Sequence, residues 1–120
     1  MRGLFLSFIL ASFIYAEDMG SLLFHGNCVT CHHETKPISA PSTSELRQRY
    51  KDAFFSKEEF VSYMSQWVKK PSYEGSLMHD AIKKHGLMPE LGFDDDALKS
   101  ICAYIYETDF IKEEKTHPKR

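Results

Sequence analysis

Long apolar runs are missing from this chain. The longest, residues 4–16, is interrupted by Ser7 and Ser12 and falls short of the ~20 residues that carry a helix across a bilayer. Charge of one sign is missing too: 15 basic side chains stand against 17 acidic ones, a formal −2. That mild balance, with no basic stripe, argues against nucleic acid as a partner. Cysteine is scarce, and three residues, Cys28, Cys31 and Cys102, do not make a disulfide framework. No internal repeat is present, which excludes a repeat architecture. No stretch alternates convincingly with period two, which leaves an all-α chain of one domain as the expectation.

What is present begins at the N-terminus. Met1-Arg2 is a short positive start, residues 4–16 are apolar, and acidic sequence opens abruptly at Glu17-Asp18. The order reads as a secretory signal peptide over residues 1–16, cleaved after Ala16, although Ile14 stands where a small residue is preferred. The alternative is an uncleaved segment that anchors the protein to a membrane. Cleavage takes 16 residues and one basic charge from 120 residues at −2, leaving 104 at −3. That is enough for a single modest core.

The most specific feature is Cys28-Val29-Thr30-Cys31-His32. The order C-x-x-C-H is the attachment pattern for c-type haem. Two thiols three residues apart reach the two vinyl groups of one porphyrin as thioethers, and the next residue, His32, is held under the iron as an axial ligand. The motif occurs once, so one covalently attached haem is expected. A redox dithiol and part of a zinc site are the rival readings. Zinc needs four ligands, whereas Cys28, Cys31, His32 and His33 are crowded together with no second C-x-x-C and no H-x-x-x-H. A thioredoxin-like dithiol belongs beside a β-α-β pattern, and none is seen.

Short helices separated by turns account for the rest. Residues 18–27 lead into the motif with Leu22, Leu23 and Phe24 together. Residues 33–43 hold two prolines and several hydroxyl side chains, a loop composition. Ser42-x-x-Glu45 is a capping box opening a helix with Leu46, Tyr50 and Phe54 on one side. Ser56-x-x-Glu59 opens another, with Phe60, Met64, Trp67 and Val68 inward and Pro71 as its stop. Ser72 is expected to start a fourth helix, with Leu77, Ala81 and Ile82 inward and Gly86 past its end. Asp94-Asp95-Asp96 suits the positive end of a last helix running to about Thr108, with Leu98, Ile101, Cys102 and Ile105 inward. Cys102 reads as a small buried hydrophobe. From Lys112 the tail is polar and expected to fray.

With the motif, the Pro-containing loop, Gly86-Leu87-Met88-Pro89 and the late A-Y-I-Y helix in this order, the chain resembles the bacterial class I cytochromes c over residues 18–110. The resemblance implies short helices wrapped around one haem, with residues 17–110 as the domain and 111–120 as a tail. It implies haem attachment beyond the cytoplasmic membrane, in the periplasm. Met88, on a loop stiffened by Gly86 and Pro89, is the favoured sixth ligand opposite His32. Met78 is a rival, and His79 or His85 would give a bis-histidine haem, though both sit in a charged helix read as solvated. In the family a proline carbonyl holds the ring N–H of the axial histidine; Pro41 matches by spacing and Pro37 is the alternative. Trp67 and Tyr73 are candidates for a haem propionate, or simply pack. The function implied is electron transfer to redox partner proteins, not enzymatic catalysis, as a free monomer or as a subunit of a larger oxidoreductase. A gas-binding sensor is a third reading and requires a vacant iron position.

Overall fold

The computed structural model describes residues 18–117, so the expected signal peptide lies outside the described residues. Six α-helices follow in order: α1 (Asp18–Asn27), α2 (Thr43–Ala53), α3 (Lys57–Lys69), α4 (His79–His85), α5 (Asp95–Glu107) and α6 (Phe110–Thr116). Among the described residues there is no strand, and no helix long and apolar enough to cross a membrane. The protein is all-α.

Local chemistry sets most helix ends. Ser42 Oγ accepts from the backbone N–H of Glu45 and Ser56 Oγ from that of Glu59, opening α2 and α3. Asp94 Oδ1 accepts from the Ala97 N–H at 2.7 Å and opens α5. Each cap satisfies a donor that the first turn cannot satisfy itself. Gly86 closes α4 with φ of 87°, a left-handed conformation that costs a glycine little.

The core is aromatic at its centre. Phe24, Phe60 and Phe110 are fully buried, with Leu98, Ile101, Cys102 and Ile105 presented by one face of α5. Helix α5 packs against both α1 and α3. Where α1 crosses α5 the backbones nearly touch: a Cβ added to Gly20 would lie 2.3 Å from the Ser100 carbonyl oxygen.

Two expectations are corrected. Ser72 does not begin a helix; residues 71–78 form turns, and α4 starts only at His79. The Ser72 hydroxyl accepts from the Gly75 N–H and the Ser76 hydroxyl from the Met78 N–H, so local side-chain bonds replace helical ones. The loop is also held from α3, since Trp67 Nε1–H donates to the Ser72 carbonyl and the Tyr63 hydroxyl to the Gly75 carbonyl. The polar tail, in turn, does not fray from Lys112. Asp109 caps α6, which runs to Thr116, and Phe110, only 1% exposed, anchors that helix in the same core as Phe24, while residues 111–117 are exposed.

Candidate functional site

The C-x-x-C-H residues lie just past the end of α1. The Cys28 N–H bonds back to the Phe24 carbonyl and the His32 N–H to the Cys28 carbonyl, so the motif continues α1 as a tight turn. The following loop is then tied back onto it. Thr43, fully buried, donates its hydroxyl to the His32 carbonyl at 2.9 Å and its N–H to the His33 carbonyl at 2.9 Å. This return brings Pro41 beside the imidazole.

His32 Nδ1 lies 2.9 Å from the Pro41 carbonyl oxygen. A carbonyl only accepts, so Nδ1 carries the proton and Nε2 keeps its lone pair. Nε2 has no hydrogen-bond partner among the described residues. Burial pulls the pKa of His32 below the ordinary imidazole value, the Pro41 bond works in the opposite direction, and the nearby His85 adds to the lowering. A neutral imidazole with a fixed tautomer is the form that binds a metal.

Two adjoining cavities open from these residues. The inner one, about 70 Å³, runs between Phe24, Met64, Leu98, Ile101 and Cys102; the outer, about 210 Å³, is walled by Cys31, Pro41, Leu77, Ile82, His85 and Leu87 among others. Cys28, His32, Leu46, Tyr50, Trp67, Met88 and Leu91 line both. Met88 is half-buried on the segment after Gly86, while Met64 and Met78 are each 4% exposed in the packed interior. Met78 also reaches the outer cavity wall. His79 does not line either cavity: it is exposed and stacks on Tyr73 with ring centroids 4.4 Å apart. His85 differs from its expected placement, being half-buried on the outer cavity wall rather than solvated. Pro37 is exposed and lines neither cavity. Trp67 lines both cavities, but its N–H is engaged by Ser72.

The donor set discriminates among cofactors. Among the described residues no group of three or more His, Cys, Asp or Glu side chains is placed to hold a metal ion, which disfavours structural zinc. A redox dithiol needs a lowered thiol pKa from a helix N-terminus or a neighbouring cation. Cys28 has neither: it follows the C-terminal end of α1, and burial, then the neighbouring Cys31, pushes its thiol up to about 11. Two thiols, an imidazole with Nε2 free and a thioether line one predominantly apolar cavity, a donor set that fits a covalently attached haem.

Sequence reasoning missed several positions. Thr43 carries no periodic signal, because its role is a bond to a backbone oxygen eleven residues back. Leu91 and Phe93 lie outside any helix, yet Leu91 lines both cavities and Phe93 the inner one. Gly20 had a usable signal, since an isolated glycine inside a helical pattern often marks close packing.

No protein-family model and no solved structure matches this chain. It is similar to an uncharacterized protein of Aquifex aeolicus (strain VF5), 26% identical over 132 residues that cover 88% of this chain and 87% of the relative.

Proposed function

We propose that this protein is an exported, periplasmic electron-transfer protein with a class I cytochrome c fold, carrying one haem through thioethers to Cys28 and Cys31. One observation carries the reading: Cys28, Cys31, His32 and Met88 share a single cavity, with His32 held by the Pro41 carbonyl in the tautomer that leaves Nε2 free. Haem bound there supplies an iron that alternates between ferric and ferrous. His32 and Met88 are the residues that would hold its iron, a donor pair that raises the potential of cytochromes c. Pro41 fixes the imidazole and Thr43 the backbone of His32, and the apolar wall of Tyr50, Leu46, Leu98 and Ile101 keeps water out. An iron closed by two side chains has no position for substrate, so the role is to relay electrons between redox partner proteins, not catalysis.

Denaturing acid extraction tests the attachment. Haem is expected to stay with the wild-type polypeptide and to be lost from the double variant Cys28→Ser/Cys31→Ser. Free extraction from the wild type sinks the covalent reading.

A further inference from the structure

Besides His32, one more imidazole lines the outer cavity, and its ring nitrogens are uncommitted. The other histidines are committed or remote. His25 has Nδ1 on the Ser21 carbonyl and Nε2 on Glu34; His33 Nδ1 accepts from two backbone N–H groups; His79 is stacked on Tyr73; His117 lies beyond α6. The His85 imidazole makes no hydrogen bond among the described residues, and His85 is half-buried and lines the cavity together with His32.

We propose that His85 is an alternative axial ligand, able to take the place of Met88 on the iron. His85 is the last residue of α4 and Met88 comes three residues later, with Gly86 between them at φ of 87°. Both side chains therefore hang from one short segment and face one cavity, and a change confined to this segment trades one for the other. Exchange of a thioether for an imidazole on the iron moves no electron. It replaces the ligand that raises the potential of cytochromes c with one that does not, so the same protein has a high-potential and a low-potential form. Met78 also lines the cavity, but it is packed at 4% exposure and precedes α4 rather than following the glycine.

This assignment rests on the haem reading, and the test separates the two. Covalent haem is first measured in the wild type and in Met88→Ala; its absence from the wild type removes both proposals. With haem attached, ferric Met88→Ala is expected to remain low-spin by electron paramagnetic resonance, to have a lowered reduction potential, and to refuse carbon monoxide when ferrous. Met88→Ala/His85→Ala is expected to turn high-spin and bind carbon monoxide at once, while Met88→Ala/Met78→Ala keeps the low-spin signal. If Met88→Ala does not accumulate folded, Met88→Leu with and without His85→Ala is read in the same way, because a Leu-for-Met exchange is well tolerated in packed surroundings. A high-spin, carbon-monoxide-binding single variant overturns the assignment, as does a low-spin signal that survives loss of His85.

Discussion

At the scale of single residues, one hydrogen bond decides what His32 can do. Its Nδ1 is engaged by the Pro41 carbonyl, so only Nε2 is left with a lone pair. The cysteines are sorted just as sharply by their surroundings. Cys31 is exposed, Cys28 is half-buried with its thiol raised to about 11, and Cys102 is buried with its thiol raised to about 12, burial being the leading cause in both. The reactive species is the thiolate, and a raised pKa keeps the thiol protonated at neutral pH. In chain made without haem, iodoacetamide at pH 7 is therefore expected to label Cys31 first. Labelling of Cys28 should rise only as the pH approaches its raised value, and peptide mass spectrometry follows each site. Rapid labelling of Cys28 at pH 7 would point back to an activated dithiol.

At the scale of elements, the crossing of α1 over α5 makes the largest demand on a side chain. Two glycines of α1 make opposite predictions. A methyl group on Gly20 meets the Ser100 carbonyl oxygen at 2.3 Å, whereas on Gly26 it meets nothing within 4 Å. Alanine gains up to ~1 kcal/mol over glycine in a helix interior, and overpacking against a neighbour that cannot move costs ~1–3 kcal/mol. Since the obstacle is backbone, Gly20→Ala is expected to lower the urea midpoint and Gly26→Ala to leave it level or raise it. Equal effects from the two would mean that the helices do not approach so closely.

At the scale of the whole molecule, the site is assembled from chain segments that begin and end far apart. The motif follows α1, Pro41 precedes α2, Trp67 ends α3 and Met88 follows α4, while α5 closes the inner cavity. The described residues begin at Asp18 in α1, so cleavage after Ala16 would remove none of them. Protein from the soluble periplasm is expected to begin at Glu17 by intact mass and to elute near its monomer mass. Retention of Met1 together with membrane association would favour the anchor.

The parts legible in sequence are those whose physics is local. Ser42, Ser56 and Asp94 cap helices because each hydroxyl or carboxylate reaches an N–H three residues on, and Gly86 ends α4 because its φ is positive. The buried face of α5 follows from helical spacing alone. Ser72 misled because its hydroxyl can cap a turn as readily as a helix, and Trp67 and Tyr63 on α3 hold the turn. Residues 112–116 misled because a polar composition gave no sign of a helix anchored at its first residue by Phe110, which packs on Phe24 from the other end of the chain. By itself, then, the sequence determined the helical class, the caps and the position of the C-x-x-C-H pattern, since each depends on residues within a few positions of one another. Only the tertiary structure decided that the Pro41 carbonyl, not that of Pro37, accepts the His32 Nδ1–H, that Gly20 must stay small, and that His85 rather than His79 turns toward the cavity. Those outcomes depend on which segments meet across the fold, and no local pattern records that.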